Sequence, residues 1–460
     1  MGLVSRKGIE ACHRLKAFDA EFDTWLDTSK DGAEFQRHGS QIRALKSMLK
    51  AFHGSLAEPM GCDAKPPATP PLETSTDASR LALALFGIWD FFRVKLDQRR
   101  NPGYARALRQ ADELAWLCYR PARDLGLKEP PLVFFNGGTS PFILRRNTRF
   151  YADGVPAELA TDESILEATS KLPFPVIGVP WTQVSYAPDA VVIAHEVGHA
   201  IEIDLALKDD LDAAIDGALG TAGKGRAGHW KQWRSEIFAD LYGCLSLGPS
   251  FGRTVRDFLA APKNVIVSEL PSASSSYPPA SARVRFLAAA LEGLGFADDL
   301  WPDWQQVYDS VADAAAPFVD DAPAVAKALS TTPLERLLKQ PITSLIRFTP
   351  EQATLAEKLA AKAAARENVP ATSDVRALFA AVRLAYDADP DGCTRKDVTP
   401  AGVPVASTLD RLLERIDANV ADVYRADEGA YSPARDKQHR DRGVEWAKSL
   451  RASVWSNPKV

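Results

Sequence analysis

Ala190-Val191-Val192-Ile193-Ala194-His195-Glu196-Val197-Gly198-His199-Ala200-Ile201-Glu202-Ile203 is an apolar run interrupted by two histidines four residues apart. Its length and the Pro188-Asp189 start predict one helix, on which residues four apart stack on the same face. The two imidazoles then converge, as needed for ring nitrogens held about 2 Å from one Zn²⁺. Glu196, directly after the first histidine, can reach a water beside such a cation without being a ligand, which makes it the candidate general base. The chain has only seven histidines, and an apolar helix has no structural need of two.

Downstream, Ser235-Glu236-Ile237-Phe238-Ala239-Asp240-Leu241-Tyr242-Gly243 reads as a second amphipathic helix with carboxylates four apart. Two histidines and one glutamate leave a fourth position open around Zn²⁺, the arrangement a catalytic site needs, so Glu236 is the expected third ligand. His229, seven residues before Glu236, and Glu202, three after His199, are the other candidates. A helix-start position beside Trp230 and Trp233 suits His229 better, and a solvated or supporting place suits Glu202. Asp240 is placed to accept the second ring N–H of a ligand histidine and fix its tautomer.

The pair His195-Glu-Val-Gly-His199 and Glu236-Ile-Phe-Ala-Asp240 resembles the gluzincin zinc peptidases. In that family a glutamate on a later helix is the third ligand, and an aspartate one turn on supports a ligand histidine. Tyr277-Pro278-Pro279-Ala280-Ser281-Ala282-Arg283 is similar to the His-Pro-Pro-x-x-x-Arg segment of gluzincins related to the integral-membrane protease family HtpX, with Tyr277 in place of the histidine. The resemblance covers roughly residues 174 to 290. It implies a zinc peptidase acting on a peptide or protein, with Tyr277 or Arg283 near the substrate oxyanion. The metzincin pattern is absent, because Glu202 and Leu205 occupy its glycine and third-histidine positions.

The expected fold is α+β: a zincin-like core, with a small mixed sheet and an exposed edge strand beside the motif helix, embedded in a largely helical chain. Short β-like runs precede the motif at Leu132–Phe135, Phe142–Leu144, Arg149–Tyr151 and Phe174–Val179. Val176 to Val179 lies between Pro175 and Pro180, which predicts a sheet edge, since proline cannot donate to an interior ladder. Such an edge could pair with an extended peptide, or simply be blunted by its prolines.

Organisation follows composition. Residues 1–57 suggest two helices, Pro-rich 58–79 a linker or loop, 80–300 the catalytic core, and 301–460 a helical region. Gly217 to Gly228 reads as a mobile loop within the long connection from His199 to Glu236. Pro323 and Pro333 are expected in first helical turns. The charged tail from Ala434 to Lys448 reads as a solvated helix face.

The 46% hydrophobic and 25% charged residues are ordinary globular values, and a net charge of −5 argues against nucleic acid as partner. No run is long and apolar enough for a bilayer, and the first residues lack a signal-peptide core. Five scattered cysteines read as reduced thiols in the cytoplasm. Oligomeric state is left open. The alternatives to a zinc peptidase are a catalytically silent, zinc-stabilised interaction protein and a zinc hydrolase of a non-peptide amide.

Overall fold

The computed structural model describes the chain apart from residues 1, 31, 64–71, 127–128, 147–171, 222, 273–274, 298, 309–313, 397, 399–404, 421–431 and 457–460. The expected run Arg149–Tyr151 lies outside the described residues. Four helices come first: α1 (Leu3–Ser29), α2 (Gly39–Met60), α3 (Leu72–Asp97) and α4 (Pro102–Gly126). The sheet follows, with β1 (Leu132–Asn136), β2 (Phe142–Leu144) and β3 (Val176–Pro180), and then the motif helix α5 (Ile193–Asp204), entered through a 3-10 turn over Ala187–Val192.

The sheet order is β1-β3-β2, with β1 and β3 parallel and β2 antiparallel. The Pro-flanked strand is therefore central, which corrects the edge expectation. Both prolines sit at strand ends, where the missing N–H is harmless. Pro175 takes part through its carbonyl, accepting from Leu132 N at 3.0 Å, while Val176 to Val179 keep their donors. Gly178 fits because Phe142 crosses over it: a Cβ there would lie 2.5 Å from that ring. Among the described residues, the open edge next to α5 is β2.

Alternation along the strands divides the core. Val133, Phe135, Ile177 and Val179 face the cluster that contains α5, whereas Leu132, Phe134 and Val176 face a second cluster with Trp89, Phe174 and Trp446. That second cluster is built by α1–α3 together with the last helix of the chain.

After α5 come α6 (Lys208–Leu219), α7 (Lys224–Gln232) and α8 (Arg234–Leu247). The expected Gly-rich loop is thus largely helix, broken at Gly220 (φ +52°). Two glycines of α7, Gly225 and Gly228, weaken helix propensity, but buried Ala227 and Trp230 anchor it. Next are α9 (Pro249–Leu259), α10 (Lys263–Ser268), α11 (Ala280–Gly293), α12 (Leu300–Val307), α13 (Ala316–Thr331), α14 (Pro350–Ala364), α15 (Val375–Ala388), α16 (Thr408–Asn419) and α17 (Pro433–Ser456).

Several expectations change here. Pro323 lies inside α13, carried through by the buried stripe Phe318, Ala322, Val325, Ala326 and Leu329. Residues 333–339 form no α-helix, since Leu334 pairs with Gln340 and both Leu338 and Lys339 have positive φ. The linker is shorter than its composition suggests: α2 runs to Met60 despite Pro59, and α3 starts at Leu72. The tail helix α17 buries one face against α2, where a Cβ on Gly443 would lie 2.1 Å from Met48 O. Its Arg435 donates to buried Glu129, which also pairs with Arg146, and Arg146 Nε lies 3.0 Å from Asp204 at the end of α5. This chain of ion pairs ties the last helix to the motif helix.

Cys12 and Cys62 form a disulfide that joins α1 to the end of α2, while Cys118, Cys244 and Cys393 are buried free thiols. All-reduced cysteines were the expectation, because two cysteines 50 residues apart carry no pairing signal. Among the described residues, no helix is long and apolar enough to cross a membrane.

Candidate metal centre

Gly198 decides how the motif helix meets its partner. A Cβ there would sit 2.8 Å from Ala239 Cα and 2.9 Å from Tyr242 Cβ, so α5 and α8 approach closely only because glycine is present. The contact lays Glu236 across both imidazoles. His195 Nε2 lies 3.3 Å from Glu236 Oε2, and His199 Nε2 lies 3.6 Å from Glu236 Oε1. One ligand atom from each of the three residues falls within 4.8 Å of the others, and all three residues are buried.

The opposite ring nitrogens are held from behind. His195 Nδ1 lies 2.9 Å from Asp240 Oδ1, so it donates to that carboxylate. Arg283 grips Asp240 through Nε at 2.6 Å and Nη2 at 2.9 Å. His199 Nδ1 lies 3.0 Å from Ser235 Oγ. Glu202 is turned away from the centre, accepting from Arg234 Nε at 2.9 Å and Ser235 Oγ at 2.6 Å. His229 packs against Trp233 and Phe318. Neither alternative ligand belongs to the group.

The donor set fits a divalent cation on its own chemistry. Two ring nitrogens and a carboxylate face one another, and Glu236 Oε2 is buried without a hydrogen-bond partner although His195 Nε2 is near. Electrostatics agree. Burial disfavours charge on His195, yet Asp240 and Glu236 outweigh it and raise its pKa to about 9. Burial likewise opposes ionisation of Glu236, and both histidines overcome it and hold its pKa far below the usual range. The cluster attracts positive charge.

Glu196 is 5% exposed and its pKa is raised by burial, against the opposing pull of His195 and His199. It lines a cavity of about 530 Å³ together with Ser140, Asp189, His195, Tyr277 and Arg383. Tyr277 is 52% exposed, its ring 5.4 Å from the Arg283 guanidinium. Arg283 also borders the cavity, but its Nε and Nη2 are committed to Asp240.

Sequence reasoning placed the three ligands, Glu196 and Asp240 in one neighbourhood. It missed Ser235, Arg234 and Arg145, and it missed Arg383, by which α15 forms part of the cavity wall. Ser235 had one available signal, its place beside Glu236. No protein-family model matches the chain, and no curated protein or solved structure matches it.

Proposed function

We propose that this chain is a zinc-dependent peptidase. The observation that carries the reading is the convergence of His195, His199 and Glu236 beside a cavity that His195 and Glu196 line. When bound there, Zn²⁺ supplies polarisation of a carbonyl and acidification of a water. Glu196 takes a proton from the attacking water at its carboxylate and passes it to the leaving amine. Tyr277 offers its hydroxyl to the developing oxyanion, while Arg283, holding Asp240, orients His195. The cavity opens beside β2, whose outer edge is unpaired among the described residues and can pair with the main chain of an extended peptide.

Metal analysis of purified protein and digestion of a peptide library test this together. Zn²⁺ should be present and the library should be cut. Glu196→Gln should keep the metal and lose about 10²–10⁴-fold in rate. An active Glu196→Gln protein overturns the mechanism, and a Zn²⁺-raised melting temperature with no cleavage favours the silent, zinc-stabilised alternative. Compartment follows the Cys12–Cys62 pair: a cytoplasmic setting requires both to be recovered as free thiols, since such bridges persist where surroundings are oxidising.

A further inference from the structure

Ser235 has one hydroxyl proton and three polar partners. Its Oγ lies 2.6 Å from Glu202 Oε2, 3.0 Å from His199 Nδ1 and 3.1 Å from Arg145 Nη1. A guanidinium can only donate, so Arg145 uses one acceptor position of the hydroxyl. A carboxylate can only accept, so the contact with Glu202 uses the hydroxyl proton. What remains for His199 is the second acceptor position. Its Nδ1 therefore carries the proton, and Nε2 is left with a lone pair directed towards Glu236, 3.6 Å from Oε1.

We infer that Ser235, gripped by Glu202, is the positioning residue of His199: it fixes the Nδ1–H tautomer and aims Nε2 at the cation. Glu202 is itself fixed, because Arg234 holds its other oxygen and also donates to Asp212 at 2.8 Å. The two histidines are thus oriented by different devices, a direct carboxylate for His195 and a hydroxyl relay for His199. Arg145 directly follows β2, so the relay also joins His199 to the open strand edge.

The inference rests on His199 being a metal ligand, not on peptide hydrolysis, and its test reads binding. Zn²⁺ affinity is measured by chelator competition on wild type, Ser235→Ala, Ser235→Thr and Glu202→Gln. Removing an outer partner of a ligand histidine typically weakens metal binding about 10–100-fold, and that loss is expected for Ser235→Ala. Threonine keeps the hydroxyl and should restore most of the affinity. In Glu202→Gln the amide can donate to Ser235, releasing the hydroxyl proton towards His199, so affinity should fall here too. Nitrogen-15 spectra of the Zn²⁺-loaded wild type should show a His199 Nδ1–H protected from solvent exchange. Ser235→Ala should lose that protection while His195 keeps its own. Melting of the metal-free variants shows whether each folds, and Glu202→Gln carries the test if Ser235→Ala does not. A wild type that binds Zn²⁺ with variants that bind it equally tightly overturns this inference alone. A wild type that binds no Zn²⁺ overturns the ligand assignment and this inference with it.

Discussion

His38 lies fully buried between Arg99, Asp112 and Gln41, and each short contact there joins a donor to an acceptor. Arg99 Nε donates to His38 Nε2 at 2.8 Å, and His38 Nδ1 meets Gln41 Oε1 at 2.7 Å. Arg99 Nη2 reaches both Asp112 oxygens, at 2.9 and 2.7 Å. Asp112 Oδ2 also lies 3.3 Å from His38 Nε2, but that nitrogen already accepts from Arg99. Burial, then the Arg99 charge, lowers the His38 pKa. At the centre formed by His195, His199 and Glu236 the logic is reversed: the Nδ1 protons are spent on the outside, and two Nε2 atoms and a carboxylate are gathered inside, a set that positive charge can satisfy. A buried histidine whose ring nitrogens are both matched by protein is complete. One whose second nitrogen faces a further ring nitrogen and a carboxylate has the geometry to hold a cation.

The sharpest way to break this contrast is Glu236→Gln. Zn²⁺ at 1,000 times its dissociation constant should stabilise the wild type by about 4 kcal/mol, and the variant should lose that response. Equal Zn²⁺-induced shifts in thermal melting would place the cation elsewhere.

Asp112→Asn should do the opposite, costing about 3 kcal/mol by leaving Arg99 without its carboxylate, with Zn²⁺ affinity unchanged. The acid side of the stability profile belongs to the same residue. Burial opposes its ionisation, but Arg99 and His38 prevail and lower its pKa from 3.8 to about 2. A depressed carboxylate stabilises the fold above its unfolded pKa, and that contribution is lost as pH falls through the folded one. Stability worth about 2 kcal/mol should therefore fade between about pH 4 and 2 in the wild type, and denaturant titrations across that range should show no such limb in Asp112→Asn.

Reducing the Cys12–Cys62 bridge, or Cys12→Ser, should cost about 2–4 kcal/mol through the freed unfolded chain. It lies among the helices beyond the sheet, so chelator competition should give the wild-type Zn²⁺ affinity. Gly198→Ala gives the smallest stability loss, about 1–3 kcal/mol from forcing α5 and α8 apart, but it should lower Zn²⁺ affinity as well. A stable variant with intact affinity would show that this close approach is not what sets the centre.

Much of the centre was legible because it depends on local geometry. Four residues along a helix is one turn, so His195 and His199 share a face in any fold that keeps the helix, and the same spacing relates Glu236 to Asp240. The short apolar runs at Leu132–Phe135, Phe142–Leu144 and Phe174–Val179 likewise announced a small sheet before the motif helix. The strand order was not legible. Pro175 and Pro180 fix only which donors are missing, and at strand ends those donors are not needed, so a central position was as open as an edge. The helical excursion across Gly217 to Gly228 was hidden for a related reason: tertiary burial of Ala227 and Trp230 overrides weak local propensity.

By itself the chain of letters determined which side chains could bind a cation, through periodicity that backbone hydrogen bonding imposes. Only the tertiary structure decided that Glu236 crosses both rings, that Glu202 turns to Ser235, and that Cys12 meets Cys62. Those outcomes depend on how closely two helices approach and where each proton is spent, and neither quantity is defined until distant segments are in contact.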